Sequence, residues 1–302
     1  MKKTLLLPLL LFLLLLTGCG TEHISERLYT QTLGLKGSKE LTLYAQAFGE
    51  EKPFSAGGLT TAEALHNGEA AQGSRIFIGH TELLCTDGSR TLADIQDLLF
   101  SQGLSPACKL LYTDLDACFQ NTDTVKLLES IRMAERKGLI AQTDITTVLD
   151  EWLGDSQTAL LPARSTDGLC MVLLHTNGRR TTLSEEAANG LFWLRRNDGR
   201  DFTITVTTPD GKEDIVIVRN SLRKKAVTTD GKPTLHYGVT VYTDNCPETA
   251  RRRLQEQILT QCRTAISEML SADADVIGLQ SLAEFAQADK KNISVVVDVS
   301  VR

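Results

Sequence analysis

Pro247-Glu248-Thr249-Ala250-Arg251-Arg252-Arg253-Leu254-Gln255-Glu256-Gln257-Ile258-Leu259-Thr260-Gln261-Cys262-Arg263-Thr264-Ala265-Ile266-Ser267-Glu268-Met269-Leu270 reads as one long helix. Leu254, Ile258, Cys262, Ala265 and Met269 recur at steps of four, four, three and four, so one stripe must be buried against a sheet. Asn245 is the candidate N-cap, with Glu248 three residues on. The sheet itself is legible on both sides of the helix. Upstream, Phe202, Ile204 and Val206 alternate with Thr203, Thr205 and Thr207, a half-buried strand by its period of two. Pro209-Asp210-Gly211-Lys212 turns the chain into a strand over Glu213–Arg219. Strands at Leu222–Thr228 and Leu235–Thr243, joined across Asp230-Gly231, complete an antiparallel meander. Downstream, a weaker helix spans Ala272–Ala286, and Ile293, Val295, Val297, Val299 and Val301 form a strand with one buried face.

Working back toward the N-terminus, Leu28–Leu35 and Glu40–Phe48 flank Lys36-Gly37-Ser38-Lys39, a hairpin signal. Pro53–Leu59, with Gly57-Gly58, reads as loop, and Thr60 or Thr61 caps a helix running to Ala71, with Gly73 ending it. Arg75–Leu84 reads as one strand and Thr91–Ser101 as a helix. From Pro106 the texture changes to a short strand at Lys109–Tyr112 and helices over Asp114–Phe119, Thr124–Lys137 and Asp144–Leu153. Gly154–Asp167 is polar, contains Pro162 and reads as a linker; Leu169–His175, the Asn177-Gly178 turn and a helix from Ser184 to Leu194 follow. The expected fold class is therefore α+β, with three mixed α/β domains at 19–105, 106–164 (mostly helical) and 165–302, the last an antiparallel sheet packed by the long helix.

The first 18 residues are expected to be removed. Lys2 and Lys3 precede an apolar run from Leu5 to Leu16, which at about 1.5 Å per residue reaches roughly 18 Å and is too short to span a bilayer core of roughly 30 Å. Leu16-Thr17-Gly18-Cys19 resembles the lipobox of bacterial lipoproteins. That resemblance implies a diacylglyceryl thioether on Cys19, cleavage just before it, and a chain lipid-anchored at the outer face of the cell membrane. Two acyl chains suffice for stable anchoring.

Removing 18 of 302 residues leaves 284 and moves the formal charge from −6 to −8, with no long acidic tract. This argues against nucleic acid as a partner, which requires clustered positive charge. Cys85, Cys108, Cys118, Cys170, Cys246 and Cys262 remain after Cys19; they contain no C-x-x-C, and most are expected to be small buried hydrophobes. Neither a P-loop, a Rossmann fingerprint, G-x-S-x-G nor H-E-x-x-H occurs. His23, His66, His80, His175 and His236 lack metal-ligand spacing, and Asp273 and Asp275 lack the glycine and glutamate of an EF-hand loop. We therefore expect no catalytic residue, no metal and no cofactor beyond the covalent lipid. Arg251, Arg252 and Arg253 oppose the dipole at the start of the long helix. They are candidates for contact with a partner or with anionic lipid, against the alternative of ordinary solvated charge.

Several collinear stretches resemble the Ger(x)C family, the lipoprotein C subunits of nutrient germinant receptors in spore-forming bacteria. They are the lipobox at Cys19; Arg75-Ile76-Phe77-Ile78-Gly79-His80 with its following helix; Gly168 onward to Gly190-Leu191-Phe192-Trp193-Leu194; and Asp275-Val276-Ile277-Gly278-Leu279 before a terminal strand. The chain would be a shortened and divergent member. The resemblance implies three mixed α/β domains, a place on the outer face of the spore inner membrane, association with polytopic A and B subunits, and no established catalytic activity. The function expected is that of an accessory subunit required for nutrient-triggered germination. The alternative is an extracytoplasmic solute-binding lipoprotein, whose usual repeated βα units the meander of 202–243 does not supply.

Overall fold

The computed structural model describes residues 27–302 apart from 38, 51, 91, 166–167, 196–201, 210, 230–231 and 286–293. The apolar leader, Cys19 and His23 lie outside the described residues, as do parts of the turns at Ser38, Asp210 and Asp230-Gly231. Among the described residues no helix is long and apolar enough to cross a membrane.

Among the described residues two sheets organise the chain. The first has nine strands in the order β3-β2-β1-β5-β6-β7-β8-β9, with β4 also paired to β1. Its centre is parallel: β1 (Arg27–Lys36), β5 (Leu83–Thr86), β6 (Lys109–Tyr112) and β7 (Thr158–Ser165) run in one direction. Antiparallel strands extend both sides, β2 (Leu41–Ala47) and β3 (Phe54–Gly58) on one, β8 (Gly168–His175) and β9 (Arg180–Thr182) on the other. A parallel centre demands cover on both faces, and side-chain alternation divides the strands accordingly. Leu33, Leu35, Leu84, Leu110, Leu161 and Val172 join one core with helices α1 (Thr61–Gln72), α2 (Leu92–Phe100) and α5 (Ile145–Leu153). Leu83, Cys85, Leu111, Leu160, Met171 and Leu173 face the other core, with α3 (Leu115–Asn121), α4 (Thr124–Arg136) and α6 (Glu185–Leu194).

The second core continues without a break into the C-terminal part. There β10 (Phe202–Thr208), β11 (Gly211–Thr229), β12 (Lys232–Asp244) and β13 (Ser294–Val301) form a four-stranded sheet against α7 (Glu248–Ser271). The stripe Leu254, Ile258, Cys262, Ala265 and Met269 is fully buried, as its period requires. The α+β class and the C-terminal sheet packed by a long helix are thus observed. The meander β10-β11-β12 is antiparallel, and β13 adds to it in parallel. The direction follows from the connection: α7 and α8 (Leu279–Phe285) carry the chain back along the sheet, so the returning strand points the same way as β12.

The structure departs from the sequence reading at several places. The expected boundaries near 105 and 165 interrupt nothing, because β5–β6 pairing spans the first and the β7–β8 hairpin spans the second. The expected linker is largely β7, whose residues Thr158–Ala163 are buried. Pro162 is tolerated there because β7 pairs with β6 only through Tyr112 and Ala163, so little ladder is lost by its missing N–H. Pro53–Leu59 is not a loop but contains edge strand β3. Its Gly58 lets α1 approach, since a Cβ there would stand 2.5 Å from the Ala64 nitrogen. Arg75–Leu84 is two strands: β4 (Arg75–Phe77) pairs with Arg27–Tyr29 and β5 with Thr32–Leu35 of the same β1, and the chain steps out between them. Two expected strands at 213–228 are one, β11, which passes through a bulge between Ile217 and Arg219. Asn245 does not cap α7; it adopts φ 51°, and Pro247 takes the cap position without a side-chain bond. The helix expected from Ala272 begins only at Leu279, because Asp275 accepts the N–H groups of Ile277, Leu279 and Gln280 and holds the preceding turn open.

Candidate functional site

Two of the resemblance motifs turn out to be seams of the structure. Gly190 in α6 meets α7 so closely that a Cβ there would lie 2.7 Å from the Ala265 Cβ and in hard collision with the Gln261 carbonyl. Three residues along, Trp193 Nε1 donates to Gln261 Oε1 at 3.0 Å, while its ring packs with Phe192 and Phe202. The run Gly190–Leu194 therefore welds the first sheet's helix layer to the long helix. In Asp275-Val276-Ile277-Gly278, Asp275 caps α8, Gly278 takes φ 75°, and the Ile277 carbonyl accepts from Lys224 of β11. Desolvation of the Lys224 ammonium at this contact pulls it below the usual lysine range.

Further ties run between the two sheets and within the layers of the first. The Arg179 guanidinium donates to the Ala272 carbonyl at 2.8 Å and lies 2.9 Å from His175 Nε2. Thr158 Oγ1 lies 2.7 Å from the other ring nitrogen, Nδ1. Burial, followed by the neighbouring Arg179 charge, lowers the His175 pKa, so this histidine is a neutral structural group. Glu268 accepts from the Ser184 N–H at 3.0 Å and from its hydroxyl at 2.6 Å, joining α7 to the start of α6. Ser156 Oγ donates to the Asp275 carbonyl at 3.3 Å. Glu151 of α5 forms a largely buried ion pair with Arg195 after α6, and accepts the Leu160 N–H at 2.8 Å. Burial raises the Glu151 pKa to about 7, with Arg195 opposing it.

None of these ties was visible in the sequence, since their partners stand tens of residues apart with no fixed spacing. The arginine cluster was visible, and it sits in the first turns of α7. Arg251 pairs with Glu248 at 3.2 Å and donates to the Cys246 carbonyl at 3.4 Å; Arg252 and Arg253 share Glu256 at 3.4 and 3.1 Å. Arg252 is the most exposed of the three, its side chain 83% accessible. The cluster thus carries two glutamates of its own. His66 and His80 are exposed, and His236 lies 3.8 Å from Asp298. Among the described residues, no group of three or more His, Cys, Asp or Glu side chains is placed to hold a metal. The six described cysteines are free thiols, five of them buried.

Clefts open at several places on the surface of the described residues. One of about 460 Å³ lies beside the start of β1 and β4, between Arg27, His66, Arg75 and Phe77. A second, about 370 Å³, is bounded by Asp155, Asp273, Leu270 and Leu235. The third, about 290 Å³, sits over the Phe192–Phe202 contact.

This architecture, a wide mixed sheet joined through a helix pair to a smaller sheet, defines a class of two-sheet α+β scaffolds in which tertiary seams hold the short motifs. The crystal structure of the GerBC protein has the same fold: it superposes with a TM-score of 0.53 at 13% sequence identity, covering 89% of this chain and 96% of that one. The Ger(x)C-like fold implied by the motifs is thereby observed. No family model matches the sequence, and no curated protein matches it significantly.

Proposed function

We propose that this chain is a lipid-anchored accessory subunit of a spore germinant-receptor complex, required for nutrient-triggered germination and acting through protein contacts. The observation that carries this reading is the GerBC likeness, which extends over nearly the whole of both chains. The lipobox at Cys19 supplies the anchor, at the outer face of the spore inner membrane, and polytopic A and B subunits are the partners. The many cross-ties between the two sheets support a rigid body that presents surfaces. Arg251, Arg252 and Arg253 offer one such contact, and Arg252 has the most exposed side chain of the three.

Disruption of the gene tests the reading. Germination through the cognate nutrient receptor is expected to fall, and germination forced by routes that bypass receptors to continue. Transcription confined to vegetative cells would sink it. Cys19→Ala should leave uncleaved precursor or released soluble protein; wild-type amounts of processed, lipid-free protein in the membrane fraction would remove the anchor from the scheme.

A further inference from the structure

Among the described residues the paths of the two sheets end on four strands, β3 and β9 of the first, β10 and β13 of the second. An unpaired strand edge invites another strand, and proteins blunt such edges with cover, brevity, proline or charge. Three of these four are blunted. β3 directly follows Pro53 and is met by α1, whose Asn67 amide donates to the Gly57 carbonyl at 2.7 Å. β9 is three residues long and begins with Arg180. β13 holds Asp298 near its middle, the side chain 75% accessible. β10 has none of these devices. Phe202–Thr208 contains no charge and no proline, six of its seven residues are β-branched, and it pairs with β11 without a register shift. In an antiparallel ladder only alternate residues turn their N–H and C=O groups to the neighbour, and β11 is the one strand neighbour of β10 among the described residues, so the other residues of β10 present theirs outward.

This edge borders a cleft. Neighbouring residues of a strand face opposite ways, so the cleft of about 290 Å³ that Phe202–Thr205 line in succession runs along the edge. Buried Phe192 and Trp193 line it from α6, and Leu139, 59% exposed, adds a further apolar side chain. Its described charged residues are one lysine, Lys137, and one glutamate, Glu185, so they give it no net charge to repel an identical copy. The strand is also self-complementary. A two-fold axis through Thr205, perpendicular to the sheet, sets two copies of β10 antiparallel over all seven residues. On the outer side Thr203 then faces Thr207 of the copy and Thr205 faces its own counterpart, all three being exposed. On the inner side Ile204 faces Val206. Threonine pairs of this kind are favourable cross-strand neighbours, and β-branched apolar side chains pack well on the pleated surface.

We propose that β10 is an interface between two copies of this chain, which pair edge to edge so that their two four-stranded sheets join into one of eight strands. The processed chain, held in non-ionic detergent, tests this by sedimentation and by cross-linking. Wild type should sediment as a dimer that dissociates on dilution, and a monomer at up to roughly 100 μM overturns the proposal. Directly opposed residues of an antiparallel pair stand about 4.5–5.5 Å apart at Cα, within reach of a disulfide. Under mild oxidation Thr205→Cys should therefore give a disulfide-linked dimer, above the wild-type background, at least roughly ten-fold faster than Asp298→Cys on the opposite edge. Equal rates, or linkage of Asp298→Cys alone, overturn the assignment to β10. Thr205 is exposed, so Thr205→Lys should leave the circular dichroism unchanged. It sets two like charges face to face and should weaken dimerisation at least about five-fold. Wild-type dimer affinity in Thr205→Lys likewise overturns the proposed edge.

Discussion

The backbone of Gly190 lies against the carbonyl of Gln261 so closely that no side chain fits between α6 and α7. Contact at this range between two helices brings Trp193 within hydrogen-bonding distance of the same Gln261. The seam is shared by the helix layer of the first sheet and the stripe of the long helix, so a change there acts on both.

Gly190→Ala should destabilise the protein by about 1 to 3 kcal/mol or more, since the helices must move apart. Gly57→Ala is the matched control, because a Cβ at Gly57 meets nothing nearer than the Leu41 carbonyl at 3.9 Å. Denaturant titration of both variants checks the pair, and equal midpoints would contradict the close crossing.

Ile258→Ala should remove about 2 to 5 kcal/mol, because Ile258 is fully buried in the α7 stripe and its loss leaves a cavity. Arg252→Ala should change stability by about half a kcal/mol or less, its pair with Glu256 being a solvated i,i+4 contact. Similar losses from the two substitutions would refute the assigned buried face.

Glu151 predicts a pH dependence. Its folded pKa, about 7, stands above the ordinary 4.5, so between those values the folded state binds more protons than the unfolded chain. The stability linked to this group is therefore complete below about pH 4.5 and lost as pH rises through 7. The gap between those two values bounds that loss at about 3 to 4 kcal/mol. Glu151→Gln should flatten the stability profile between pH 5 and 8, measured by chemical denaturation. A steeper decline in the variant would contradict the assignment to burial.

The six free thiols should differ in reactivity. Cys170 is half-buried, whereas burial pushes Cys262 up to about 12, and Cys85 is raised by its contact with Cys118 and by burial. Alkylation of native protein near pH 8 should label Cys170 first, and denaturation without reductant should expose all six. Peptide mass spectrometry that found a disulfide among them would exclude this arrangement.

Local pattern carried a large share of the fold. The 3.6-residue period of Leu254–Met269, the alternation of Phe202–Val206 and the cap at Thr60 each depend on neighbours in sequence, and each forms in the structure. Gly190–Leu194 and Asp275–Gly278 were legible as motifs, although their purpose was not, because Gln261 and Lys224 lie far away along the chain.

What the sequence determined by itself was the type and order of most elements, together with the stripe that α7 must bury, since periodicity and capping are short-range physics. Tertiary structure alone decided that β6 and β7 belong to the same sheet as β1, that β13 enters in parallel, and that Asp275 delays the last helix. It likewise decided the pairing of Glu151 with Arg195 and of Arg179 with the Ala272 carbonyl. Strand neighbours and buried polar partners are chosen by the global burial of two sheet faces, and no window of adjacent residues contains that information.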